Sequence, residues 1–591
     1  MTAAGRGGVA LLVVGAGAAL LVGCAAPPPA APPPALATTS AAPADFVLTH
    51  GAMYTMDASR RWTEAVAVRE GRLVAVGSDA EVRLLAGPAT RVVDLGGRFV
   101  MPAFHDAHVH PVSAGVELGQ CNLNDLSTAE ATLAAVKRCM TAQPARPWLV
   151  GGGWALTAFP PGAPTRQALD AVTAALPAAL SSADGHTLWA NSAALAAAGI
   201  TRDTPDPPAG RIDRDARGEA TGLLRESAVD LVRRLVPATT AAEYEASLVR
   251  ALVELNRFGI VSFQEASASE AMVAAYRAVA RQGRLTARAR LSLTADQTKD
   301  ASQVDAFVRT RAATTERGVV AGTVKIFVDG VIEAATAALV APYLPLPGDR
   351  RAGAPVTRGL PNYTDAQLQA LVTRLDREGF QAHMHAIGDG AVRQGLDAIA
   401  AADRANGHRD RRAHLAHIQL VQPGDLARFR QLSVIANMQP LWGYRDAYIR
   451  DLTEPRLGPE RSQWLYPFGA LQRAGAILAG GSDWSVSSVN PLDAIQVAVT
   501  RRSLTSAPTA PAWLPDERLD LPTALAAYTM GGAYVNFEER DSGSLEVGKW
   551  ADLIVLDQNL FALAPQHLHD ARVQWTVLEG REVYRAPGFT P

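Results

Sequence analysis

Phe104-His105-Asp106-Ala107-His108-Val109-His110-Pro111 is the stretch on which the reading of this chain turns. It follows the apolar run Phe99-Val100-Met101, so residues 100–110 read as a buried strand that ends in polar chemistry. Side chains alternate along a strand, which sends His108 and His110, two positions apart, the same way. Two imidazoles can grip one ion; neutral imidazole suits zinc and its borderline neighbours at roughly 2.0–2.1 Å, and the remaining ligands must come from elsewhere.

Working outward, seven more apolar runs alternate with helical stretches: 259–265, 289–294, 322–329, 379–385, 413–419, 434–439 and 476–483. Eight such runs predict an α/β fold, a TIM-like (β/α)8 barrel over residues 99–536. An insertion over about residues 112–250 separates the first run from the second, far beyond ordinary βα loop lengths. On the C-terminal face of a barrel it would cover the active site and shape substrate choice. Short strands occupy both ends of the chain, with hairpin turns at Glu70-Gly71 and Glu579-Gly580. They predict a small β-sandwich built from residues 46–98 and 537–591.

The informative polar residues fall at the ends of the barrel runs. Lys325 is one of four lysines in the chain and lies inside an apolar strand with Phe327 and Asp329 on the same face. Burying an ammonium without a partner is expensive. Lys325 is therefore either half of a buried ion pair or a deprotonated amine carboxylated to a metal-bridging carbamate. His383 and His385 share one face; His414 and His417, three apart, point oppositely. His385 and His417 are nearer the strand mouths and are taken as ligands, with His383 and His414 as the alternatives. Asp483 ends the last run, where it can contact a metal and accept a proton from water, or simply cap a helix. Asp184, His186 and Asn191 in the insertion, with Asp329, are candidates for substrate contact; a polar network within the insertion would also account for the first three.

The chain has 591 residues and a formal charge of −2, which excludes a strongly basic nucleic-acid binder. No Gly-rich phosphate loop or basic aromatic patch stands out, so nucleic acids and nucleotide cofactors are not expected. Residues 1–24 read as a leader: Arg6, then an apolar run from Val9 to Val22 that is short for a membrane span. Leu21-Val22-Gly23-Cys24 resembles a bacterial lipobox, which implies lipid modification at Cys24. Residues 25–45, rich in Pro and Ala, read as a tether. The expectation is an exported protein anchored by lipid to the cell envelope, on its periplasmic or outer face. There Cys121 and Cys139 could pair, or remain two buried thiols.

Taken together, Pro102-Ala103-Phe104-His105-Asp106-Ala107-His108-Val109-His110, Val324-Lys325-Ile326-Phe327-Val328-Asp329-Gly330, His385-Ala386-Ile387-Gly388-Asp389, Ala416-His417-Ile418-Gln419 and Gly481-Ser482-Asp483 resemble the amidohydrolase superfamily. Within it the likeness is to the amidohydrolase 3 group, which includes N-substituted formamide deformylases. The resemblance implies one or two divalent ions, zinc first, held by His108, His110, His385, His417 and a carbamate on Lys325, with Asp483 as ligand and general base. Two departures, Ala103 for a more usual glycine and Ala416 where a glutamate often precedes the histidine, remove no ligand. The implied activity is hydrolysis of a non-peptide carbon–nitrogen bond in a small molecule, and a homodimer would fit the family. Esters, lactones and phosphotriesters suit the same cradle, and a lipid-anchored binding protein without turnover is the non-enzymatic alternative.

Overall fold

The computed structural model describes residues 42–124, 126–142, 147–160, 164–345 and 357–590; the leader, Cys24 and all but the end of the tether lie outside them. Eight parallel strands lie in chain order around the central sheet: β1 (Phe104–Val109), β2 (Ile260–Ala268), β3 (Arg288–Thr294), β4 (Val319–Phe327), β5 (Gln381–Ala386), β6 (His414–His417), β7 (Ile435–Met438) and β8 (Ile477–Gly480). A parallel strand covered on both faces has no solvent side, and β1, β5, β6 and β7 are buried at every position. The return helices start where side chains satisfy the first free N–H groups. Thr240 with Glu243 and Thr364 with Gln367 form capping boxes at Ala241–Arg257 and Asp365–Arg377.

Between β8 and β1 no strand ladder forms. The circle is closed just beyond, where the Asp483 N–H donates to the His108 carbonyl at 2.8 Å and the His110 N–H to the Trp484 carbonyl at 2.9 Å. Gly481 permits this approach, since a Cβ there would stand 2.7 Å from the His108 backbone nitrogen.

The expected single strand over 100–110 is two strands in different sheets. Phe99–Pro102 pairs antiparallel with the C-terminal strand Leu553–Leu556, whereas β1 belongs to the barrel. The switch falls at Ala103, whose N–H donates to the Asp552 carbonyl while the next, on Phe104, donates to Gly259. Around Phe99–Pro102 a six-stranded sheet unites Ala52–Tyr54 and Trp62–Thr63 with Leu553–Leu556, Val573–Leu578 and Arg581–Arg585. It packs on a four-stranded sheet of Phe46–Thr49, Ala65–Arg69, Arg72–Gly77 and Arg91–Asp94, with Leu48, Val68, Val100, Val555 and Trp575 in a shared apolar core.

The insertion carries its own mixed sheet, in the order Gly210–Arg214, Ala220–Glu226, Thr187–Ala190, Ala178–Ser182, Leu149–Trp154, Cys121–Asn122. A disulfide joins Cys121 to Cys139, Cα to Cα 5.5 Å, so the edge strand is tied to helix Ala129–Ala142. Among the described residues no helix is long and apolar enough to cross a membrane.

Candidate metal centre

The strand ends bring His108, His417 and Asp483 together, with one ligand atom from each within 4.8 Å of the others, and all three buried. Asp483 Oδ1 lies 3.3 Å from His108 Nε2 and 3.1 Å from His110 Nε2, and Oδ2 lies 3.9 Å from His417 Nδ1. Metal–ligand bonds of roughly 2.0–2.1 Å in a tetrahedral arrangement separate ligand atoms by about 3.4 Å. Asp483 Oδ1 and His417 Nδ1 make no aligned hydrogen bond although both are buried. Groups that converge at these spacings without bonding one another suit a shared cation, and the donor set suits zinc. His417, Ile418 and Asp483 hold positive φ values of 72°, 42° and 53°, a strain that marks residues aimed by their surroundings.

His385 and His417 face each other, ring centroids 4.6 Å apart, and His108 lies 4.7 Å from His417. Lys325 points into the same space, Nζ 3.4 Å from His108 Nε2 and 4.8 Å from the Phe327 ring. The His383 and His414 rings lie 4.1 Å apart, tilted by 35°. His383 Nε2 meets His108 Nδ1 at 2.8 Å and its Nδ1 meets Ser292 Oγ at 3.0 Å, so His383 orients His108. His110 is less enclosed, at the N-terminus of helix Pro111–Glu117.

Two of the residues expected to contact substrate, Asp329 and Asn191, are engaged by other groups of the protein. Asp329 is buried and fully engaged: Oδ1 meets His385 Nδ1 and the Ile387 N–H, each at 3.1 Å, and Oδ2 accepts the Ala338 and Gly388 N–H groups at 2.9 Å. It positions His385 and leaves Nε2 for the centre. Asn191 is likewise spent inside the insertion. Its oxygen accepts the Ala178 and Ala194 N–H groups, and its amide donates to Thr173 Oγ1 and the Leu176 carbonyl. Asp184 accepts the Ser182 hydroxyl and the His186 N–H, shaping the loop that carries His186. His186 places its ring 5.5 Å from that of His385.

Burial sets the charges. It pushes His108 down to about 3 and drives His417 and His383 well below the ordinary histidine range, so each presents a neutral lone pair. Burial likewise lowers Lys325 to about 7 against the pull of Asp483. Despite its own burial, the Asp483 carboxyl is held well below the usual carboxylate range by the imidazoles of His108 and His110. Burial disfavours the charged form of His186, yet Glu226 at 2.9 Å outweighs it and the imidazole rises to about 9.

Sequence reasoning missed Glu226 and Glu265. Glu265 ends a recognised strand run, a carboxylate in apolar company, and that was the available signal; buried, it accepts the Tyr276 hydroxyl at 2.8 Å and lies 3.7 Å from His110 Nδ1. Glu226 has no comparable signal, since its partners His186 and Thr336 are remote in sequence.

A model of the amidohydrolase family matches residues 91–584. The Arabidopsis thaliana protein LONG AFTER FAR-RED 3 is 31% identical over 92% of this chain and 92% of its own length. An N-substituted formamide deformylase from Arthrobacter pascens is 27% identical over 92% of this chain and 99% of its own. Among solved structures, an uncharacterized metal-dependent hydrolase from Pyrococcus furiosus superposes with a TM-score of 0.67 at 26% identity, covering 87% of this chain and 99% of that one.

Proposed function

Because this chain belongs to the amidohydrolase family, we propose that its metal-dependent hydrolysis is directed at carbon–nitrogen bonds other than peptide bonds, in small amides or N-substituted formamides. The observation that carries the reading is the convergence of His108, His417 and Asp483 within 4.8 Å, ringed by His110, His385 and Lys325. When bound, a divalent ion supplies Lewis acidity, acidifying water and polarising the scissile carbonyl. The four imidazoles bind as neutral donors. Asp483 takes the proton of the attacking water on its unbonded Oδ1 and returns it to the leaving nitrogen. Lys325, with no carboxylate bonded to it, would take up carbon dioxide: an Nζ–C bond forms, a proton leaves, and the new carboxylate would be a further oxygen donor for a divalent ion. The 27% identical relative named for N-substituted formamides supports that substrate class. The Cys121–Cys139 bridge supports export to an oxidising compartment, and the lipobox at Cys24 supports anchoring there.

The test is a panel of amides, N-substituted formamides, lactones, aryl esters and phosphotriesters, run on protein of measured metal content. Carbon–nitrogen cleavage is expected to lead and to vanish on chelation; turnover confined to esters or lactones overturns the reading. Asp483→Asn is expected to lower kcat by about 10²–10⁴-fold, and rates equal to wild type at equal metal content eliminate it as the base.

A further inference from the structure

Strand Ala220–Glu226 of the insertion ends at the barrel mouth, and its last residue is bonded on both oxygens. Glu226 Oε2 lies 2.9 Å from His186 Nδ1, and Oε1 accepts the Thr336 hydroxyl at 2.7 Å. Thr336 belongs to the segment after β4, where its Oγ1 also accepts the Val331 N–H at 2.9 Å. Gly330 makes the meeting possible, because a Cβ there would stand 2.2 Å from Thr336 Oγ1 and 2.5 Å from Glu226 Oε1. Glu226 itself holds a φ of 50°, backbone strain that persists only where its surroundings over-determine it.

His186 is fixed from three sides. Its N–H donates to Asp184 Oδ1 at 3.0 Å, its carbonyl accepts the Glu226 N–H at 3.0 Å, and its Nδ1 faces the Glu226 carboxylate. The ring is thereby held beside His385, 5.5 Å from centroid to centroid. Its Nε2 makes no hydrogen bond among the described residues, and the side chain keeps 17% of its surface open. A half-buried carboxylate, a threonine, a glycine and a strained backbone are thus committed to fixing one imidazole whose second nitrogen is unoccupied.

We propose that His186 is a catalytic residue delivered by the insertion, donating a hydrogen bond from Nε2 to the carbonyl oxygen of the scissile group as that oxygen gains negative charge, with Glu226 as its positioning residue. Standing between two acceptors, the Glu226 carboxylate and the acyl oxygen, the imidazole carries a hydrogen on each nitrogen. The base and this donor then have separate tasks: Asp483 serves the water and leaving nitrogen, and His186 serves the oxygen. The inference rests on the hydrolase reading above, and it makes the insertion a working part of the site.

The test compares metal-loaded, full-length wild type with His186→Ala and Glu226→Gln. Three quantities are measured: bound metal, kcat and KM on the best amide of the panel, and calorimetric affinity for methylphosphonate, a tetrahedral oxyanion mimic. Metal content is expected to be unchanged. In His186→Ala, kcat should fall about 100-fold with little change in KM, and methylphosphonate should bind about 10-fold more weakly. Glu226→Gln should move both in the same direction by less, and it carries the comparison if His186→Ala does not fold. Equal methylphosphonate affinity in wild type and variants, no binding by any of them, or loss of metal from His186→Ala overturns the proposal. A wild type that cleaves no amide yet binds methylphosphonate through His186 defeats the carbon–nitrogen reading and leaves this one standing.

Discussion

His385 offers its Nε2 to the centre because Asp329 holds the other nitrogen, and Asp329 can do so because two backbone N–H groups on its second oxygen fix the carboxylate. An outer partner of this kind orients a ligand and raises its basicity; its loss typically costs 10–100-fold in metal affinity. Asp329→Asn is expected to weaken binding by about that factor in competition with a chromophoric chelator, and wild-type affinity would remove Asp329 from the supporting frame. At this scale the sequence was legible where chemistry repeats at strand ends: the alternation of His108 and His110, the lone lysine in an apolar strand, the carboxylate of Asp483. It left Asn191 open between substrate contact and a polar network, and it was not legible for Asp329. Both are polar residues near the right segments, and only the directions of distant backbone N–H groups show that they are consumed by structure.

The eight strand-like runs were readable because a barrel strand is covered on both faces and must be apolar until it reaches the mouth. The change of sheet at Ala103 was hidden by the same property, since Phe99–Pro102 and β1 are both buried and the run is continuous through them. In the insertion, spacing alone could not decide whether Cys121 and Cys139 pair; the placement of edge strand against helix brings them into bonding range. The bridge closes a sequence separation of 18 residues, which by the chain-entropy estimate stabilises by about 3 kcal/mol. Replacing both cysteines by serine should raise hydrogen exchange over Cys121–Asn122 and helix Ala129–Ala142 while protection of β4 and β5 stays unchanged. Unaltered exchange in the insertion would show that the bridge contributes nothing to its order.

Across the whole molecule, barrel and sandwich are joined through a buried charge network beneath the strands. Arg288, at the start of β3, donates to Asp552 Oδ2 at 2.6 Å and to Glu538 Oε2 at 3.0 Å, while Asp552 also accepts the Ser542 hydroxyl and the Glu579 N–H. Burial would raise the Asp552 carboxyl, but Arg288 and Ser542 overcome it and hold it below its ordinary value. A carboxylate depressed by folding stabilises the native state above its unfolded pKa of about 3.9, and that contribution is lost as pH falls through the native value. Asp552→Asn should therefore cost about 3 kcal/mol at neutral pH, measured by urea unfolding, with the gap to wild type narrowing below about pH 4. A gap independent of pH would dissociate the network from ionisation of Asp552.

The pairing of Phe99–Pro102 with Leu553–Leu556 has a consequence for biosynthesis. Leu553 follows Pro102 by 451 positions, so at roughly 5–20 residues per second the ribosome takes about 20–90 s to supply the missing neighbour. Throughout that interval the nascent chain displays an apolar strand with one edge bare, the kind of surface that holdase chaperones cover.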